Sequence, residues 1–306
     1  MQAFSSKIIL FGEYALLKGA MGLAIPFPKF AGKLAKPVIP DITPEQQESN
    51  VVIVKMAEWI ARHSFHYSCG IEKLKQDMAR GIYFESNIPQ GYGLGSSGAL
   101  VAALYANYFQ IPEKPGLTFV KTDLSQLESF FHGKSSGTDP LVSFINQPIC
   151  LNARLNTTEF RLPENLHVFL IDSGKPSHTK GLVTSFLQKS GNEPQRLSAF
   201  MTLNDQCVQM LLQQSGEVFQ IIRQFCQFEQ QFLPAMFPNK TLLNGIAKDL
   251  RPYVGVKLCG SGGGGFLLGF AQGISYLEIE RYFTQKSIST LEISHSVIDN
   301  KKLVFI

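Results

Sequence analysis

The first half of the chain alternates short apolar runs with longer segments of helical periodicity. Short apolar runs bounded by turn residues predict strands, and apolar positions that recur every three or four residues predict helices. The predicted strands span residues 7–11, 23–26, 81–85 and 148–151, and the predicted helices span 51–63 and 98–109. Residues 29–49 are rich in proline and lysine and then polar, which predicts a loop or an irregular strand.

The second half begins with a new apolar strand after a polar, proline-containing segment at residues 162–166. Helical patterns follow at 197–212 and 217–232, and a strand–glycine–strand pattern spans 256–270. A length of 306 residues fits two domains at about 150 residues each. We therefore predict an α+β protein with one domain at 1–165 and a second at 166–306.

Composition and charge exclude several classes of function. A hydrophobic content of 44% and a charged content of 17% are typical of a soluble globular protein. The net charge of +4 has no basic run behind it, so neither nucleic acid nor membrane is expected as a partner. Five scattered cysteines in apolar contexts predict reduced thiols, and the apolar run near the N-terminus is too short for a signal peptide. These features predict a cytoplasmic protein.

A glycine-dense loop with two serines, PQGYGLGSSGA at residues 89–99, precedes a helical pattern. Backbone N–H groups at the start of a helix, with the helix dipole behind them, stabilise a polyphosphate. The loop therefore predicts a nucleotide site at Gly93, Gly95, Ser96, Ser97 and Gly98. The alternative is a helix N-terminus that the two serines merely cap.

Three better-known phosphate motifs are disfavoured. The G-x-G-x-x-G pattern occurs at both 93–98 and 260–265, and no second strand with an acidic residue follows the first copy, as a dinucleotide fold requires. Gly133, Lys134 and Ser135 resemble the end of a Walker A motif, but Glu128 stands where its first glycine belongs. The H-R-D and D-F-G strings of protein kinases do not occur in the sequence.

Three segments in order resemble the motifs of the GHMP kinase superfamily, which includes galacto-, homoserine, mevalonate and phosphomevalonate kinases. SKIILFGEY at residues 6–14 resembles the opening motif, GLGSS at 93–97 the phosphate loop, and KLCGSGGGGF at 257–266 the third, glycine-rich motif. The resemblance implies the two-domain GHMP kinase fold, with an N-terminal domain like ribosomal protein S5 domain 2 and a ferredoxin-like C-terminal domain. It also implies ATP and Mg²⁺ as cofactors and a site in the cleft between the domains.

The segment ESFFHGKSSGTD at residues 128–139 is similar to a segment of the mevalonate kinase branch, with the same spacing from glutamate to aspartate. By this resemblance Lys7 and Asp139 are the catalytic pair, and Ser97 and Glu128 hold Mg²⁺. Tyr14 stands where the branch commonly has histidine. The residues implied to contact the substrate are Glu13, Thr179, Gly260, Ser261 and Gly262.

The resemblance implies phosphorylation of the primary hydroxyl of mevalonate, a small-molecule substrate. Two alternatives stay open: another small acceptor such as phosphomevalonate, a sugar or homoserine, and a nucleotide-binding sensor without turnover. The presence of Lys7, Ser97, Glu128 and Asp139 argues against the sensor. The sequence leaves a homodimer open.

Overall fold

The computed structural model describes residues 1–38, 42–152, 160–177, 181–238, 240–293 and 302–306. The chain falls into two compact units that alternate along the sequence. Unit 1 comprises Met1–Lys7, Pro26–Pro89 and Gly95–Gln147, and unit 2 comprises Ile8–Ile25, Gln90–Leu94 and Pro148–Ile306. The predicted division into residues 1–165 and 166–306 differs from these units, because it assumed two consecutive domains whereas two long strands each contribute to both units.

These two strands are β1 (Phe4–Phe11) and β2 (Gly22–Ala35), which neighbour each other in a five-stranded sheet of order β1-β2-β4-β9, with β3 on β2. In unit 1, β2 is antiparallel to β3, with Gly32 opposite Ser86. The other elements of unit 1 are β3 (Tyr83–Ser86), α1 (Pro44–Arg62), α2 (Ile71–Ala79), α3 (Ser96–Tyr108), α4 (Leu117–His132) and α5 (Thr138–Ile145).

Unit 2 is built around a four-stranded antiparallel sheet of order β6-β7-β5-β8. In unit 2, β2 is also antiparallel to β4, and β4 is parallel to β9. The strands are β4 (Ile149–Leu151), β5 (His167–Asp172), β6 (Val254–Leu258), β7 (Phe266–Ala271), β8 (Thr290–Glu292) and β9 (Val304–Phe305), and the helices are α6 (Leu182–Asn192), α7 (Pro194–Leu212), α8 (Val218–Phe232), α9 (Lys240–Asp249) and α10 (Tyr276–Thr284).

Most of the predicted elements occur within a few residues of their predicted bounds. Residues 29–35, predicted as a loop or an irregular strand, continue β2, and α1 begins at Pro44 behind a capping box at Thr43. Pairing with β3 explains why residues 29–35 continue a strand, because β3 supplies backbone hydrogen bonds that cannot be read from the composition of this segment. No helix among the described residues combines the length and apolar character needed to cross a membrane.

A buried group of charges lies inside unit 2. The ammonium of Lys257 on β6 is fully buried and lies 2.5 Å from Glu13 Oε2. Glu229 on α8, also fully buried, accepts a hydrogen bond of 2.9 Å from the Leu258 N–H through Oε2. Among the described residues, nothing hydrogen-bonds its other oxygen, Oε1. Burial therefore raises the pKa of Glu229 to about 7, although Lys257 acts in the opposite direction.

The raised pKa predicts that Glu229 destabilises the folded protein at neutral and higher pH. An acid whose pKa is about 7 when folded and near 4.5 otherwise binds its proton more tightly in the folded state. The free energy of unfolding therefore falls as the pH rises through that interval. Glu229→Gln cannot ionise, and we expect it to exceed the wild type in unfolding free energy by about 1–3 kcal/mol at high pH.

Urea denaturation on the acid side of that interval and on its alkaline side measures this difference. The gain of Glu229→Gln should shrink towards acid pH. Glu217→Gln, at an exposed glutamate directly before the same helix, is the matched control and should show no such pH dependence. A gain of equal size at both pH values would show that the ionisation of Glu229 is not its cause.

Candidate active site

Helix α3 begins at Ser96, directly after the glycines of the loop. Its N-cap residue is Gly95, which is in the left-handed region (φ 73°) and has no side chain with which to cap the helix. Ser96 and Ser97 lie within the first turn, so neither of them is the cap residue that the capping alternative assumed. The first intrahelical bond runs from Ala99 N–H to Gly95 O at 3.0 Å. The preceding N–H groups and the helix dipole suit an anionic ligand.

The predicted catalytic pair meets in unit 1. Strand β1 places Lys7 in the interior, where 2% of the residue is exposed, and Asp139 lies in the first turn of α5. Lys7 Nζ is 3.0 Å from Asp139 Oδ2. The side chain of Asp139 keeps 28% of its surface exposed, so the carboxylate is accessible to a ligand while the ammonium is not.

Two glycines bring the start of α3 against this pair. A β-carbon added at Gly95 would lie 3.0 Å from Lys7 Cε, and one added at Gly98 would lie 2.9 Å from the carbonyl carbon of Asp139. At Gly98 the clash is with the backbone of α5, so the close approach requires glycine there, whereas Gly95 is favoured by its left-handed backbone (φ 73°). Ser97, between the two glycines, belongs to the same turn of α3.

A further charged group that interacts with this pair is Glu128 on α4, of which 4% is exposed. Burial and the nearby Asp139 carboxylate raise the pKa of Glu128, although Lys7 and a hydrogen bond from the Ser135 hydroxyl act in the opposite direction. Two neighbouring carboxylates thus share one ammonium, and their repulsion adds to burial in favouring the protonated form of Glu128. Carboxylate and hydroxyl oxygens are the ligands that Mg²⁺ prefers, so Glu128 and Ser97 fit the cation that the resemblance implies.

Three of the residues predicted to contact the substrate, Glu13, Gly260 and Ser261, make hydrogen bonds within unit 2. Glu13 Oε1 accepts a hydrogen bond of 3.1 Å from the Gly260 N–H, while Oε2 pairs with Lys257. The Ser261 carbonyl accepts a bond of 2.5 Å from the Tyr14 hydroxyl. The substrate contacts of Glu13, Gly260 and Ser261 stay predictions, since both carboxylate oxygens of Glu13 already have partners within unit 2.

The other two residues predicted to contact the substrate are Gly262 and Thr179. The carbonyl of Gly262 accepts a hydrogen bond from the Ser177 hydroxyl. Thr179 lies outside the described residues. In the glycine loop, Gly93 has φ 80°, and a β-carbon there would lie 2.3 Å from the Cys259 carbonyl oxygen, so this position of unit 2 requires glycine.

Sequence reasoning missed the roles of three residues: Tyr14, Ser135 and Glu229. Tyr14 was noted only as a departure from histidine, yet its backbone is in the left-handed region (φ 61°) and its hydroxyl binds the glycine-rich motif. The sequence assigns no role to Ser135, which lies both in the false Walker A match and in the segment from Glu128 to Asp139, although its hydroxyl binds Glu128. Its position inside the segment from Glu128 to Asp139 was the one available signal.

Comparisons with known proteins identify a matching domain and a curated relative. Residues 52–147, which include α3, α4 and α5, match the family described as GHMP kinases N terminal domain. A mevalonate kinase of Pyrococcus horikoshii is 23% identical over 298 residues, covering 88% of this chain and 87% of that protein.

Two solved structures resemble the fold. The L. major mevalonate kinase in complex with R-mevalonate superimposes with a TM-score of 0.63 at 17% identity, covering 96% of this chain and 95% of that one. The Streptococcus pneumoniae phosphomevalonate kinase in complex with phosphomevalonate and AMPPNP gives 0.60 at 13% identity, covering 96% and 100%. At these identities the structures support the fold alone. Residues 52–147 thus carry the N-terminal domain of the GHMP kinases, which are ATP-dependent kinases with alcohol acceptors, and the fold agrees with those kinases along nearly the whole chain.

Proposed function

We propose that the protein transfers the γ-phosphoryl group of ATP to the primary hydroxyl of mevalonate, which gives 5-phosphomevalonate and ADP. The observation that carries the proposal is the Lys7–Asp139 ion pair, placed against the start of α3 and beside Glu128. The segment from Glu128 to Asp139 and the mevalonate kinase relative support mevalonate as the acceptor.

Asp139 acts as the base in this proposal. Its accessible carboxylate accepts the proton of the acceptor hydroxyl while the hydroxyl oxygen forms a bond to the γ-phosphorus. The bond from that phosphorus to the bridging oxygen breaks, and ADP leaves with the electron pair. Lys7, 3.0 Å away, orients the carboxylate and offsets negative charge that develops on the phosphoryl oxygens.

The phosphates bind at the start of α3. Backbone N–H groups from Gly95 to Gly98 donate to the phosphate oxygens, and the helix dipole favours their charge. Ser97 and Glu128 hold the metal, which neutralises phosphate charge when it is bound. Phosphoryl transfer requires little covalent chemistry from the protein, so the proposed catalysis consists of aligning the reactants and neutralising the developing charge.

A second candidate is phosphorylation of phosphomevalonate, because a phosphomevalonate kinase shares the fold over nearly the whole chain. That acceptor carries a phosphate and calls for additional cationic side chains near it. Other small alcohols, such as a sugar or homoserine, are weaker candidates, since the segment from Glu128 to Asp139 is of the mevalonate kinase type. A sensor without turnover would not need both an accessible Asp139 and its buried ammonium partner.

We expect ADP release by the purified protein with Mg·ATP to depend on mevalonate. The panel is mevalonate, phosphomevalonate, homoserine, galactose and no acceptor, measured by a coupled assay of ADP. Turnover with mevalonate alone supports the proposal. Turnover with phosphomevalonate instead selects the second candidate, and ATP binding without turnover on any acceptor contradicts kinase activity on these alcohols.

Asp139→Asn should abolish the base with almost no change in side-chain size, and because it also removes the counter-charge of the buried Lys7, circular dichroism first checks that the variant is folded. We expect kcat to fall by about 10²–10⁴-fold. ATP affinity, measured by calorimetry, should stay within about threefold, since the phosphates bind at α3. The control is Asp249→Asn, an exposed aspartate of α9 in unit 2 that should retain full turnover. Undiminished turnover in Asp139→Asn would refute the assignment of the base.

A further inference from the structure

Ser135, in the loop between α4 and α5, joins three parts of unit 1 through one residue. Its hydroxyl donates to Glu128 Oε2 and accepts a hydrogen bond of 3.0 Å from the Gly137 N–H. Its carbonyl oxygen accepts a bond of 2.7 Å from the hydroxyl of Ser125, which lies on α4 one turn before Glu128. The residue is thus anchored to α4 at two points and to the turn before α5 at a third.

The turn that Ser135 holds is the one that carries the proposed base. Gly137, with φ 71°, is the N-cap residue of α5, and Asp139 lies in the first turn of that helix. The same hydroxyl therefore contacts the carboxylate proposed as a metal ligand and the turn that presents the proposed base. The sequence motif does not require this contact, because Glu128 could lie on α4 and Asp139 on α5 without it.

We propose that Ser135 is a positioning residue that fixes the orientation of the Glu128 carboxylate for a divalent cation bound with ATP. A carboxylate without such a partner rotates about its terminal torsions and must be ordered when the metal binds. A partner that orients a metal ligand commonly changes metal affinity by about 10–100-fold. The inference rests on the proposed function only where that function takes Glu128 as a metal ligand, and it holds for any acceptor.

Other contacts hold the turn when the Ser135 hydroxyl is removed. A β-carbon at Gly137 would lie 2.5 Å from the Lys121 carbonyl oxygen, so the turn is packed directly against the backbone of α4. The hydroxyl of Ser136 also bonds to Thr138 at 3.0 Å. Ser135→Ala is therefore expected to keep the turn and to release chiefly Glu128.

The test is Mn²⁺ binding to the protein–ATP complex without acceptor, followed by electron paramagnetic resonance. Ser135→Ala should raise the Mn²⁺ Kd about 10-fold or more. Ser135→Thr keeps the hydroxyl and should stay within about threefold of the wild type. Ser129→Ala is the matched control, because Ser129 follows Glu128 on the same helix and its hydroxyl bonds only to the Ser125 carbonyl among the bonds that the structure shows. It should bind Mn²⁺ as the wild type does.

Kinetics give a second readout that a general loss of packing would not reproduce. In Ser135→Ala the Mg²⁺ concentration for half-maximal turnover should rise, with the KM of the acceptor unchanged and turnover restored at high Mg²⁺. Should Ser135→Ala fail to fold, Ser135→Cys keeps the size of the side chain, and its thiol is a weak donor. The same rise in Kd is then expected of that variant.

Several outcomes would overturn the proposal. An unchanged Mn²⁺ Kd in Ser135→Ala would do so, as would an equal loss in Ser129→Ala or a loss in Ser135→Thr as large as in Ser135→Ala. Failure of the proposed function looks different: a wild type that binds Mn²⁺ with ATP and shows the Ser135 pattern, yet never phosphorylates mevalonate, refutes the acceptor and leaves the role of Ser135 standing.

Discussion

The buried ammonium of Lys7 is the constraint around which unit 1 is arranged. A buried charge costs several kcal/mol unless an opposite charge and hydrogen bonds compensate it. Asp139 supplies the opposite charge, so α5 must begin where Lys7 can reach it. The start of α3 then lies against the same pair, a close approach that requires glycine at Gly98. One ion pair thus determines where the helix proposed to bind phosphate and the proposed base meet.

The ionised form of the Glu128 carboxyl is destabilised within this cluster. Glu128 and Asp139 face one ammonium, and the resulting repulsion adds to burial in raising the pKa of Glu128. The divalent cation that the proposed function requires would relieve that repulsion, and the partial positive charge at the start of α3 would favour the phosphates that accompany it.

In unit 2 the buried ion pair is formed by Glu13 and Lys257, and it supports the backbone of the third motif. Glu13 follows β1 and binds both Lys257 and the Gly260 N–H, while Tyr14 binds the Ser261 carbonyl. Two adjacent residues of the first motif therefore hold the backbone of the third. A glutamate that the family resemblance assigns to the substrate has, in this chain, a structural task that occupies both of its oxygens.

The motifs by themselves indicated the superfamily and the phosphate loop, and the resemblance implied Lys7, Ser97, Glu128 and Asp139, because each of these residues lies in a motif that can be matched locally along the sequence. The longer helices and strands were likewise predictable from periodicity. Three features were not predictable from the sequence: the interleaving of the two units, the continuation of β2 through residues 29–35 and the environment of Glu229. Each of these depends on partners distant in sequence, and the same holds for the two oxygens of Glu13. The local sequence pattern shows which functional groups are present. Burial and the distances between charged groups are decided only when the chain folds and brings distant residues together.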